Sequence, residues 1–202
     1  MRPPLDMDTV VRLCPDAATP AERRQAAQQL IAWSAERHPA DAVDVTPAVL
    51  LAEAGQILEI AGDHAAALDA YRQAATTEGV VEPDVRCFLH RALVSVGELP
   101  AARLLAEEVR RSAPADPGSH AMIAETYEKY GDLQEAHRWL NLGLHALGGR
   151  ATDEASSSLG LDLILLAIVR RRIRRALALP DDAVDRLAGL ALDGRRMTTR
   201  DR

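Results

Sequence analysis

Apolar residues recur at helical spacing along most of this chain, interrupted by short polar stretches that carry glycine or proline. The pattern predicts helices over about 47–60, 64–77, 83–95, 99–112, 117–129 and 133–147. Thr46-Pro47, Glu82-Pro83 and Asp116-Pro117 precede three of them, and proline is at home in a helix's first turn. Upstream, Thr19-Pro20-Ala21-Glu22 reads as a capping box that opens a helix through about Arg37, carrying Leu30, Ile31 and Trp33. A short helix over Asp8–Leu13 precedes it. Downstream, 148–158 reads as a flexible polar connector and 159–192 as two more helices, the second starting at Pro180-Asp181-Asp182. In the first of these, Leu161, Leu165, Ile168, Val169, Ile173, Ala176 and Leu177 follow helical spacing, and Leu163 and Leu166 lie on the other side. Its first half is thus apolar nearly all round and expected to be buried on more than one face. The Arg-rich tail 193–202 is expected to be disordered.

The chain also repeats itself. Three segments align: "LAEAGQILEIAGDHAAALDAYRQAA", "RCFLHRALVSVGELPAARLLAEEVR" and "HAMIAETYEKYGDLQEAHRWLNLGL". In each, a glycine and an acid separate two apolar-periodic stretches: Gly62-Asp63, Gly97-Glu98 and Gly131-Asp132. A short reversal between helices needs a left-handed backbone position, which glycine takes without a steric cost, and the acid suits the next helix's N-terminus. Five residues past each glycine stands an alanine, Ala67, Ala102 or Ala136, where two helices are expected to approach closely.

These features resemble the tetratricopeptide repeat, a helix–turn–helix unit, over residues 48–147. Gly55, Leu58, Tyr71 and Ala74 fit the first repeat, and Ala124, Tyr127, Leu140 and Gly143 the third. The second departs most, with His90 and Ala106 in place of a small and an aromatic residue. The resemblance implies an all-α, right-handed α-solenoid of three repeats over 47–147, between capping helices in 1–46 and 159–192. It further implies a groove that binds a peptide or protein segment, lined by Gln56, Glu59, Asp84, Cys87, Arg91, Met122, Glu125, Glu128 and Lys129. The slots that grip a chaperone's C-terminal carboxylate in one subclass hold Ala52, Gln56, Phe88, Gly118 and Met122. None is cationic, so that ligand is not expected. "AHRWLNLGLHAL" and "RRRIRRALALPDDAVD" also resemble the tetratricopeptide region of actinobacterial proteins with a SEC-C zinc motif. The compact cysteine cluster of that motif is missing here.

Composition narrows the picture. Alanine is abundant, at 37 residues, and aromatics are only 3%, which argues against an all-β fold. The net charge is −6, yet residues 170–202 carry ten Arg against five Asp. An acidic body does not favour nucleic acid. Arg170, Arg171, Arg172, Arg174 and Arg175 therefore form the candidate basic patch, read as a capping helix's solvated face, a membrane-surface anchor or a dock for an acidic partner such as nucleic acid. Cys14 and Cys87 are too few for a disulfide framework and suggest a reducing, cytoplasmic setting. No phosphate-loop, dinucleotide-binding or zinc-protease motif occurs. Cys87 and His90 make at most half a metal site, and Cys87 is expected either buried or beside the groove. Neither a cofactor nor an enzymatic activity is expected.

Overall fold

A computed structural model of the chain describes residues 2–13, 18–36, 38–112, 116–150 and 157–200. Every regular element among them is a helix, in keeping with the all-α expectation. The chain divides into two compact units, Met1–Ser112 and Ala113–Arg202. That division falls inside the 47–147 stretch: two of its helix pairs lie in the first unit and the third pair in the second.

The first unit contains α1 (Met7–Arg12), α2 (Pro20–Ser34), α3 (Pro47–Ile60), α4 (His64–Thr76), α5 (Val85–Ser95) and α6 (Leu99–Ser112). From α2 onward each helix packs on the next. Local chemistry sets their starts. The Thr19–Glu22 capping box opens α2, and the Thr46 hydroxyl accepts the Val49 N–H at the head of α3. The α5 helix begins two residues later than expected because Asp84 takes the cap, accepting the Arg86 N–H, and leaves Pro83 outside. At its other end α2 stops at Ser34, short of the expected Arg37, which lies outside the described residues.

The glycine turns share one geometry. Gly62, Gly97 and Gly131 have φ of 79°, 83° and 87°. After each, the next residue's N–H reaches back to a carbonyl five residues earlier: Asp63 to Leu58, Glu98 to Leu93, Asp132 to Tyr127. This is the hydrogen-bond signature of a left-handed helix stop. Asp63 and Asp132 then cap the following helices. Ala67, Ala102 and Ala136 are all buried. Gly55 is small for a visible reason, since a Cβ there would stand 2.4 Å from the Tyr71 ring. Tyr71 in turn stacks on Phe88, with ring centroids 5.6 Å apart.

The second unit contains α7 (Pro117–Lys129), α8 (Leu133–Arg150), α9 (Ser157–Ala176) and α10 (Ala183–Arg200). The α8 helix packs on α7 and α9, α9 also touches α7, and α10 packs on α9. Gly143 marks the meeting of three helices: a Cβ there would lie 2.9 Å from the His120 Cβ and 3.1 Å from a Leu166 methyl.

Three expectations change in this unit. The connector expected over 148–158 is helical at both described ends, since α8 runs through Gly148 to Arg150 and α9 opens at Ser157, while residues 151–156 lie outside the described residues. The α10 helix continues past Leu192 to Arg200, into the stretch expected to be disordered. The α9 helix also buries less of its circumference than its all-round apolar first half implies. Leu166, Ala167, Arg170 and Ile173 are buried, whereas Leu161 and Leu165 are 50% and 47% exposed. Apolar spacing alone places every arginine outward. The inward position of Arg170, received by acids on the following turn and helix, sets the buried stripe.

Candidate functional site

The nine residues expected to line one groove fall into two sets. Gln56, Glu59, Asp84, Cys87 and Arg91 belong to the first unit, and Met122, Glu125, Glu128 and Lys129 to α7 of the second. In the first unit, α3 buries most of its surface and leaves Val49, Glu53, Gln56 and Glu59 as a partly exposed stripe. That 3–4 residue spacing puts the four on one helix face. The Gln56 amide donates to Glu53 (3.2 Å), whose carboxyl burial raises above its ordinary range. Glu59 accepts the Tyr71 hydroxyl (2.8 Å) and the Arg91 Nε–H (3.2 Å), and forms an ion pair with Arg91. Burial, with the Glu59 charge as a second cause, raises the Tyr71 phenol far above its ordinary value. The Arg91 guanidinium lies 5.3 Å from the Phe88 ring centroid, in cation–π range. Neighbouring helices thus hold an acid, a phenol and a guanidinium together at the edge of a partly wet surface.

Two expected groove residues are otherwise engaged. Asp84 caps α5 and pairs with Arg86 at 2.5 Å. Cys87 is fully buried, the first of its two expected positions. Two of the carboxylate-grip slots, Ala52 and Phe88, are buried as well. On α7, Met122 is half-buried and Glu125 and Lys129 are exposed, while the Arg172 side chain holds Glu128 through two hydrogen bonds (2.8 and 2.5 Å).

The five-arginine run is not an open basic patch. Arg170 donates to Asn141 (2.7 Å), to Asp182 (3.2 and 2.8 Å) and to the fully buried Asp185 (3.2 Å). Arg174 donates to Asp185 (2.7 Å) and to the Pro180 carbonyl (2.6 Å). Arg172 is held by Glu128, and Arg171 and Arg175 reach Asp181 at 3.8 and 3.5 Å. Asp182 and Asp185 also accept each other's backbone N–H groups, both at 3.1 Å, and so form a reciprocal cap at the start of α10. The Arg170 side chain holds the Asp182 carboxyl well below the usual range. His137, beside Arg174, is pushed down by burial and by the charges of Arg170 and Arg174. Arg170 and Arg174 are thus committed to the polar interior of α9 and α10, while Arg172 and Arg175, 56% and 57% exposed, are paired with acids at the surface.

A cavity of about 200 Å³ lies elsewhere in the first unit. Trp33, Val43, Val45, Pro47 and Leu50 supply its apolar lining, with Arg2, Glu36, His38, Asp41 and Thr46. Arg2 and Asp41 form a doubly hydrogen-bonded ion pair (2.7 and 2.5 Å), and Asp41 also accepts the N–H groups of Leu5 and His38. These contacts hold the Asp41 carboxyl far below its ordinary value, the Arg2 side chain being the main cause. Sequence reasoning read 1–46 only as capping helices and missed the cavity. No motif could have shown it, because its lining comes from separated stretches of chain.

No group of three or more metal-ligating side chains converges among the described residues. His90 is fully buried, and burial lowers its imidazole to about 4, so it stays neutral near pH 7. Cys14 lies outside the described residues. No helix among the described residues is long and apolar enough to cross a membrane. Comparison with known protein families, characterised proteins and solved structures finds no match for this chain.

Proposed function

We propose that the chain is a non-catalytic protein-interaction module whose helix pairs α3–α4, α5–α6 and α7–α8 are tetratricopeptide-type repeats, with the α3/α5 face of the first unit binding a segment of a partner protein. The observation that carries this reading is the partly exposed stripe Val49–Glu53–Gln56 beside the Glu59–Tyr71–Arg91 cluster. It offers fixed acceptors and one cation on a surface held rigid from below. The charge supports a basic or apolar partner. The first unit carries 17 acids against 11 Arg, a net −6, while the second carries 13 acids against 13 basic residues. Like-charge repulsion disfavours an acidic segment on such a surface. Pairing of the five-arginine run speaks against the other reading, an anion-binding patch on α9. The test is a photo-crosslinking residue placed at Gln56, with Asp69, exposed on α4, as the control position. Crosslinked partner from position 56 alone is the expected result. Equal capture from both positions overturns the proposal.

A further inference from the structure

The cavity of the first unit has features the α3/α5 face lacks. Its size selects its occupant. Cavities of about 150 Å³ accept benzene, whereas drug- and cofactor-sized ligands need roughly 300 Å³ or more. At about 200 Å³, the site has room for one ring-sized group.

Its lining selects the chemistry. The charged pair in the lining is already satisfied, since Asp41 accepts four hydrogen bonds, two from Arg2 and one each from Leu5 and His38. Arg2 also donates to the Glu36 and Pro3 carbonyls. The side chains of this pair are only 5% and 12% exposed, so no incoming charge is needed to neutralise them. The rest of the wall is mixed: Trp33, Val43, Val45, Pro47 and Leu50 supply an apolar side, and Glu36, His38 and Thr46 a polar one. Val43 is 99% exposed, an apolar side chain left in water at the apolar side of the cavity. Exposed Glu36 adds negative charge to the lining, on the unit that carries the molecule's whole net charge.

We infer that this cavity receives one bulky apolar side chain, an aromatic ring in particular, from a basic segment of a partner protein. The inference rests on the interaction reading above and adds an anchor to it. The ring would lie against Trp33 and under Val43, while flanking Lys or Arg residues would face Glu36 and the acidic surface. Anchor residues of this kind dominate the energy of many interfaces.

The chain's two tryptophans lie one in each unit, so Trp33 reports on this cavity once Trp139 is replaced by Phe. The probe is the peptide acetyl-Lys-Lys-Phe-Lys-Lys-amide, titrated against the full-length Trp139→Phe protein and, by calorimetry, against the unaltered chain. A saturable change in Trp33 emission is expected, with affinity at least about tenfold weaker when Phe is replaced by Ala or the lysines by Glu. Val43→Lys should weaken binding by a similar factor without altering the melting temperature, since its side chain is solvated. Phe and Ala peptides that bind alike overturn the anchor, as does a Val43→Lys protein that binds normally. No binding to the folded, unaltered chain at about 1 mM peptide, a −4.1 kcal/mol threshold, also overturns it. Position-specific crosslinking from Gln56 would survive each of these failures, so the two proposals fail separately.

Discussion

The two units differ in how they balance arginine, although each buries one arginine pair, Arg2–Asp41 in the first and Arg170–Asp185 in the second. In the first, Arg91 sits at the edge of a wet surface, bound to Glu59 and Tyr71, and the unit as a whole keeps six uncompensated negative charges. In the second, five clustered arginines meet four acids of the same unit, Glu128, Asp181, Asp182 and Asp185, and Arg170 is nearly buried. A run of like charge is therefore a poor guide to an external footprint until its internal partners are known. Here the electrostatic surplus lies in the unit without the run. Each unit also carries one tryptophan, so Trp33 and Trp139 can report on them separately.

The largest expected effect comes from removing Asp185. Its carboxylate is fully buried between Arg170 and Arg174, whose side chains are 8% and 12% exposed. Deleting it leaves two nearly buried guanidiniums to share Asp182 alone, a loss approaching the roughly 3–5 kcal/mol of a broken buried pair. Asp185→Ala should lower the transition seen at Trp139 and leave that at Trp33 in place. Equal shifts at both tryptophans would break the contrast between the units.

The face of α9 gives a second test. Leu166 is 2% exposed and packs near Gly143, so Leu166→Ala should cost about 2–5 kcal/mol. Leu165→Ala, at a side chain 47% exposed, should cost less than about 1 kcal/mol. Burial of both faces, as the all-round apolar pattern implies, would make the two costs similar, and chemical denaturation of the two variants decides between them.

The pH dependence sharpens the comparison from the other side. His90, in the first unit, has its imidazole lowered to about 4 by burial. The unfolded chain takes up the proton near 6.5 while the folded chain resists it. The stability held by keeping His90 neutral is thus complete above about 6.5 and is lost as pH falls toward 4. The size is roughly 3 kcal/mol, at 1.36 kcal/mol per unit. His90→Leu should flatten this decline when followed at Trp33. A variant with the slope of the parent would mean that other groups set it. His120 and His137, lowered mainly by burial, give the second unit a decline of the same sign.

The helix pairs and their turns were legible because their determinants are local. Gly62-Asp63 holds both the left-handed stop and the next cap within two residues, and Thr19–Glu22 closes its box within four. The inner face of α9 was not legible. Arg170 turns inward only because Asp182 and Asp185 stand at the head of another helix, and that pairing has no signature in apolar spacing. The cavity stayed hidden for a similar reason, since Arg2, Trp33 and Leu50 are neighbours only after folding. Of the groove set, Glu59 and Arg91 meet, whereas Cys87 lies on a helix side that packing claims.

The smallest expected effect concerns how α9 ends. Leu179 N–H returns to the Arg174 carbonyl and Ala178 N–H to that of Arg175, the same stop that Gly62, Gly97 and Gly131 make. Here the left-handed position is filled by Ala178, with φ of 54°. An L-residue pays about 1 kcal/mol or more for that conformation, which glycine adopts freely. Glycine also gains freedom in the unfolded chain, which offsets part of the benefit. Ala178→Gly should therefore stabilise the second unit by about 0.5–1 kcal/mol, seen as a higher melting transition at Trp139. Gly131→Ala, the opposite exchange in the same unit, should destabilise it by a similar amount, because space is open around Gly131 and only its φ of 87° resists the methyl group. Matched and opposite shifts would show that one backbone rule governs both stops. A loss of stability in both variants would mean that the Ala178 methyl makes contacts worth more than its backbone strain.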